Sequence, residues 1–83
     1  MNYVKIYVRT VCEFFVDGGI KPLYIEWTDG KVFTIDRVKL VERKPCKSGG
    51  VLPRRYTVVI GGKQRYLYYE REKERWFVEK EGV

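Results

Sequence analysis

The sequence predicts an all-β fold: a single antiparallel meander of six or seven strands that closes into a small SH3-like or partly open barrel. Apolar and polar residues alternate with a period of two along most of the chain, and no segment shows the period or caps of an amphipathic helix. Short turns rich in Gly and Asp interrupt this alternation. With 83 residues, the chain is expected to form one domain over residues 1–83, and a meander of that size hides its strand edges best by closing. A single twisted sheet is the alternative architecture.

The amino-terminal third carries the first two predicted strands. From Val4 to Val16 the even positions are mostly apolar, which indicates one long strand, or two strands with a bend near Thr10. A strand this long in so small a domain must twist and coil. Asp17-Gly18-Gly19 tolerates positive φ and ends the strand. Pro22 then opens the next strand, over residues 23–28.

A hairpin and a loop follow. Asp29-Gly30 is the strongest hairpin signal in the chain. After Ile35 the apolar positions change parity, which indicates a β-bulge around Asp36-Arg37 before the strand continues toward Arg43. The segment 44–53 contains two Pro residues and a Gly-Gly pair, so it is predicted to be the one true loop.

The carboxyl-terminal part completes the meander. Its predicted strands are Arg54–Ile60, Gln64–Glu70 and Arg75–Glu79. Gly61-Gly62 turns the first of these into the second, and a charged turn over residues 71–74 precedes the third. Whether the glycine turn has two or three residues decides which face Tyr66 and Tyr68 take, and the sequence leaves that open.

The composition argues against an enzyme and against a bound metal or other cofactor. The chain has no His, which removes the usual general base and a common zinc ligand. Cys12 and Cys46 lie 34 positions apart without a second pair, so a four-ligand zinc site is not expected. We expect Cys12 in the core and Cys46 on the loop, and we do not expect a disulfide between them.

Several features predict a cytoplasmic protein. Lys5 and Arg9 interrupt the apolar amino terminus, so it lacks the pattern of a secretory signal. No apolar run approaches the roughly 18 residues of a membrane span.

Asn2 and Gln64 are the sole side-chain amides, whereas Lys, Arg and Glu are abundant, a composition that resembles that of thermophile proteins.

The formal charge of +6 is unevenly distributed. Between residues 37 and 65, nine basic residues face the single acid Glu42, which gives 9 − 1 = +8. The basic residues are Arg37, Lys39, Arg43, Lys44, Lys47, Arg54, Arg55, Lys63 and Arg65. The carboxyl end has the opposite balance, with more Glu than basic residues. Its acids are Glu70, Glu72, Glu74, Glu79 and Glu81.

Basic residues interleaved with Tyr on paired strands give the main functional hypothesis, a nucleic-acid-binding module. Cations meet phosphates and rings stack on bases when both lie on one surface. The candidate residues are Arg54, Arg55, Lys63, Arg65, Tyr66 and Tyr68, with Lys39 and Arg43 as further phosphate contacts. The plain alternative is a solvated face whose Tyr and Arg side chains pair across strands. The second functional hypothesis is a protein-interaction domain that uses a strand edge or the acidic end against a basic partner. Under either hypothesis the protein is a monomer or a homodimer formed through an unclosed edge.

Other sites in the sequence have ordinary structural explanations. Gly61-Gly62-Lys63 resembles part of a phosphate loop, but a strand follows it, so a hairpin turn is expected. Glu26, Asp29 and Asp36 are carboxylates without an evident cleft, and cross-strand ion pairs are the expected use. Trp27 and Trp76 are large enough to be stacking platforms, but in so small a domain we expect both in the core.

A set of spaced residues resembles a group of small bacterial β domains of unknown function. The pattern comprises Pro22, Trp27, Asp29-Gly30, Phe33, Ile35-Asp36, Val38, Arg55-Tyr56, Val58, Tyr66 and Arg75-Trp76-Phe77-Val78. The resemblance covers roughly residues 20–79 and implies no activity, cofactor or catalytic residue. Some of these similar domains lie beside DNA-repair polymerase-like proteins, which implies a link to nucleic acid.

Overall fold

The computed structural model describes residues 2–82 and contains seven strands and one short 3-10 turn. The strands are β1 Tyr3–Phe14, β2 Ile20–Glu26, β3 Val32–Thr34, β4 Arg37–Arg43, β5 Arg54–Ile60, β6 Lys63–Glu70 and β7 Arg75–Glu81. The 3-10 turn Arg71–Lys73 occupies the predicted charged turn. The predicted all-β class is confirmed. Among the residues described, no helix is long and apolar enough to cross a membrane.

One antiparallel sheet contains all seven strands, in the order β3-β2-β1-β7-β6-β5-β4. Its two end strands, β3 and β4, are consecutive in the chain and are joined by Ile35 and Asp36 alone. The amide of Ile35 donates to the carbonyl of Leu23 in β2 at 2.9 Å, and the amide of Asp36 donates to that of Val59 in β5 at 2.8 Å. Successive amides therefore bond to opposite ends of the sheet, which curls into a half-barrel.

Strand β1 holds the two halves of the sheet together. Residues Tyr3–Val8 pair with β7, whereas residues Arg9–Phe14 pair with β2. The strand changes partner between Val8 and Arg9, and its register against β2 shifts between Val11 and Cys12. Both features lie close to the bend predicted near Thr10, but the strand is continuous. It ends at Phe14 rather than Val16, so its last apolar side chains project beyond the core and are exposed.

The predicted β-bulge exists but lies further along the chain. The register of β4 against β5 shifts between Val38 and Leu40, which makes Lys39 the extra residue. The prediction placed it at Asp36-Arg37, where the chain instead leaves β2 for β5. The change in apolar parity shows that one residue is extra, but it does not specify which one.

The concave side of the half-barrel holds the main core. Trp76 lies between Tyr56 and Tyr69, with ring centroids 4.9 and 4.7 Å away. The buried members of this core are Val8, Ile25, Ile35, Tyr56, Val58, Leu67, Tyr69 and Trp76. Trp27 is partly buried and packs against them. Both Trp residues therefore belong to the core, as predicted.

A second buried cluster lies on the convex side, beneath the loop 44–53. Tyr68 and Phe77 stack there with centroids 5.1 Å apart, and Cys46 and Val51 of the loop pack over them. The Lys5 ammonium donates to the Gly49 carbonyl. The loop is thus packed on the sheet. Cys46 lies on the loop, as predicted, but it is buried, and both it and Cys12 are free thiols.

Candidate nucleic-acid interface

The β5–β6 hairpin determines which side chains share a face. Ile60 pairs with Lys63, so the turn has two residues, Gly61 and Gly62, whose φ angles are 58° and 77°. A two-residue turn of this kind requires positive φ at both positions, and glycine adopts positive φ without steric cost. The turn length left open by the sequence is therefore two residues.

This register distributes the predicted site residues over both faces of the sheet. The concave face receives Arg43, Arg54, Lys63 and Arg65, whereas the convex face receives Arg55, Tyr66 and Tyr68, with Lys39 at the bulge beside them. Arg54 and Arg65 do share a face, but Arg65 pairs with Val58, four residues from Arg54, which is about 13 Å along the strand. The buried pair Tyr56 and Leu67 lies between them. The eight side chains therefore do not form one patch.

Tyr68 is not available as a stacking platform while the loop is packed. Its side chain is buried, with 5% of the residue exposed. Burial, followed by the negative charge of Glu79, raises the pKa of Tyr68 to about 12. The packed loop therefore leaves no face of the Tyr68 ring open to a base, and nothing in the sequence indicated that the loop would cover this residue.

The convex surface of β4–β6 does carry a smaller group of polar and aromatic side chains. We call this the outer basic face, and it consists of Arg37, Lys39, Arg55, Gln64 and Tyr66. Arg37 and Gln64 both pair with Val59, so they belong to one row across three strands. The Lys39 ammonium donates to the Gln64 side-chain carbonyl at 3.1 Å. Arg37 and Gln64 were not among the predicted site residues.

An arginine supports the exposed ring of this face. The Arg55 guanidinium lies over the Tyr66 ring, 4.2 Å from its centroid, and donates to Glu42 at 2.8 Å. The hydrogen bond with Glu42 raises the pKa of Arg55. Tyr66 itself is 44% exposed. Arg55 is therefore held between a carboxylate and a ring, and the ring still has accessible surface.

The other two cations of the outer basic face have no acidic partner in the described part of the chain. No carboxylate of residues 2–82 lies within 4.0 Å of the charged nitrogens of Arg37 or Lys39. An exposed cation without a partner keeps its charge available to a phosphate.

Carboxylates elsewhere in the sheet have structural uses. Glu26 forms a cross-strand ion pair with Arg9 between β2 and β1 at 3.0 Å. Asp29 forms a local ion pair with Lys31 at 4.0 Å. Asp36 differs from the prediction, because it accepts from the Gly61 amide at 3.0 Å. Among the described residues, no three His, Cys, Asp or Glu side chains are grouped as a metal site would require.

The acidic carboxyl end is partly used inside the fold. Glu70 is buried and accepts from Arg75 at 3.2 Å and from the Tyr7 hydroxyl at 3.3 Å. Glu79 accepts from the Ser48 amide of the packed loop. These two carboxylates therefore do not contribute to a free acidic surface.

Loop packing is expected to depend on pH through Glu79. Burial acts to raise the pKa of Glu79, but hydrogen bonds from Ser48, Lys47 and Tyr68 outweigh it and lower the pKa below 4.5. A carboxylate with a lowered pKa in the folded state contributes stability above pH 4.5, and this contribution is lost as the pH falls through the lowered value. The Ser48 amide resonance should therefore shift with a midpoint below pH 4.5 and should not titrate in Glu79→Gln. A midpoint at or above 4.5 would contradict this account.

Comparison with known proteins does not add a family to this geometry. A scan against protein-family models and searches of curated proteins and of solved structures found no match to the chain. The resemblance to small bacterial β domains gains no support from them. The fold and the surface define the chain as a small all-β half-barrel that carries the outer basic face on strands β4–β6.

Proposed function

We propose that the outer basic face binds single-stranded nucleic acid. The observation that carries this proposal is the exposed Tyr66 ring, backed by Arg55 at 4.2 Å and flanked by Arg37 and Lys39, which have no acidic partner among residues 2–82. Aromatic side chains on an open sheet stack on bases, and cations beside them contact the phosphates.

Each side chain has a distinct role in this proposal. Tyr66 stacks on one base, and Arg55, held by Glu42, orients the ring. Arg37 and Lys39 contact phosphates. Strands lie about 4.8 Å apart, so Arg37 in β4 and Gln64 in β6 are about 10 Å apart across the sheet. That spacing lets Gln64 bond to a base edge while the cations follow the backbone.

The concave cations take a lesser part. Lys63 and Arg65 are exposed near the β5–β6 turn and add to the positive field that attracts a polyanion. Burial raises the pKa of Tyr56, and interaction with Arg54 acts against that shift. Contacts from Arg43 and Arg54 to nucleic acid remain predictions.

A salt titration with variants tests the proposal. Affinity for a mixed-sequence oligonucleotide should fall steeply with salt, and Arg37→Gln and Lys39→Gln should each reduce the slope by about 0.7. Tyr66→Ala should weaken binding by about 5- to 150-fold, the equivalent of about 1 to 3 kcal/mol per stacked base, whereas Tyr66→Phe should bind nearly as well as the unmodified protein.

Lys31→Gln is the matched control, because Lys31 precedes β3 at the β2–β3 turn, outside the outer basic face. It removes one exposed positive charge, as Lys39→Gln does, and should leave the slope nearly unchanged. Absence of binding at low salt, or equal losses in Lys31→Gln and Lys39→Gln, would contradict the proposal.

A further inference from the structure

Strand β4 has an open edge. Among the strands that the structure describes, it is the last in the hydrogen-bonded order and pairs with β5 alone. Within residues 2–82, no backbone hydrogen bond joins residues 39–43 to any element other than β5. The outward amides and carbonyls of this segment are therefore free to pair with another extended chain.

Apolar side chains lie on both faces of this open edge. Leu40 is 51% exposed and Val41 is 44% exposed, and consecutive strand residues point to opposite faces. An added strand would cover both side chains as it paired with the backbone. Binding by strand addition obtains its affinity from backbone hydrogen bonds and its specificity from alternate side chains.

The charges of β4 indicate what kind of strand it accepts. Residues 37–44 contain the cations Arg37, Lys39, Arg43 and Lys44 and the acid Glu42, which gives 4 − 1 = +3. Glu42 is already bonded to Arg55 at 2.8 Å and lies 3.9 Å from Lys44. A second copy of β4 would bring the same positive charge, and like charges on paired strands are destabilising. An acidic strand has the complementary charge.

We infer that the open edge of β4 binds an extended acidic segment of a partner protein. The segment adds as a strand beside residues 39–43, with its carboxylates on the concave face near Arg43 and its small apolar side chains on the convex face against Leu40. This interaction uses the strand edge rather than the outer basic face, so it does not depend on nucleic-acid binding.

The test uses three synthetic heptapeptides. One alternates Glu and Val, the second alternates Gln and Val, and the third is the acidic peptide with alternate backbone amides methylated. The acidic peptide should bind at least about tenfold more tightly than each of the others at low salt. Its binding should also slow hydrogen exchange of amides in residues 39–43.

Two charge reversals localise the contact. Arg43→Glu should weaken binding of the acidic peptide by about tenfold, whereas Lys31→Glu, at the distant β2–β3 turn, should change it little. Arg43 is exposed and has no carboxylate of residues 2–82 within 4.0 Å, so this change should leave the fold intact. Tyr66→Ala should bind the peptide normally, which separates this inference from the proposed function.

Several results would overturn the inference. No binding would mean that the cations only prevent pairing between copies. Equal binding of the acidic and neutral peptides would mean that charge does not contribute to the interaction. Equal binding of the acidic peptide and its methylated form would mean that backbone hydrogen bonds do not contribute. Slowed hydrogen exchange of residues 39–43 in a homodimer would assign the edge to a second copy of the chain. Slowed exchange with an oligonucleotide, and not with the peptide, would assign the edge to nucleic acid.

Discussion

Phe77→Ala is expected to lower the free energy of unfolding by about 3 to 5 kcal/mol. Phe77 is fully buried, stacks on Tyr68 at 5.1 Å and meets Tyr7 edge-on at 5.7 Å. The Lys5 ammonium lies 5.4 Å from its ring centroid and also bonds to the loop carbonyl of Gly49. Phe77 therefore joins β7 to the loop 44–53, and its loss should free the loop as well as destabilise the sheet.

Urea denaturation measures the stability change, and the reaction rate of Cys46 with a thiol reagent reports on the loop. Cys46 is buried against Phe77 and Tyr68, so it should react faster in Phe77→Ala. Phe14→Ala is the matched control, because Phe14 is 72% exposed and its loss should change stability by less than about 0.5 kcal/mol. A loss below about 1 kcal/mol for Phe77→Ala, or an unchanged Cys46 rate, would contradict the packing described for the loop.

Trp76→Ala is expected to cost a similar amount, about 3 to 5 kcal/mol, for a different reason. Trp76 lies in the concave core between Tyr56 and Tyr69 and is 6% exposed. Burial raises the pKa of Cys12 in the same core, and interaction with the Trp76 side chain acts against that shift to a smaller extent. Removing the indole empties the centre of the half-barrel, and the resulting cavity is bounded by strands that cannot collapse freely.

Thermal denaturation of Trp76→Ala and Trp27→Ala tests this assignment. Trp27 is partly buried and packs at the margin of the same core, so its replacement should cost less. Both variants should unfold in one cooperative transition, since one sheet contains all the strands. Equal losses in the two variants would mean that Trp76 is not the centre of the core.

Much of the fold could be predicted from local sequence. Alternation gave the strands, and Asp29-Gly30 and Gly61-Gly62 gave the turns because each supplies residues that tolerate positive φ. Long-range pairing could not be predicted. Nothing near Val8 and Arg9 specifies that β1 changes partner from β7 to β2 between them, because that choice depends on strands far along the chain.

The candidate site was less predictable than the fold. The period of two alone places Arg54 and Arg55 on opposite faces, so their separation was available from the sequence. The face of Tyr66 required the length of the glycine turn, and the membership of Arg37 required the position of the bulge. The burial of Tyr68 required knowledge of how the loop packs, for which the sequence offered no signal.

Amide chemical-shift mapping during titration with a single-stranded oligonucleotide tests the central claim most directly. The proposal predicts that the largest perturbations cluster at Arg37, Lys39, Arg55, Gln64 and Tyr66. Changes centred on Arg54 and Arg65 of the concave face, or no saturable changes at low salt, would contradict it.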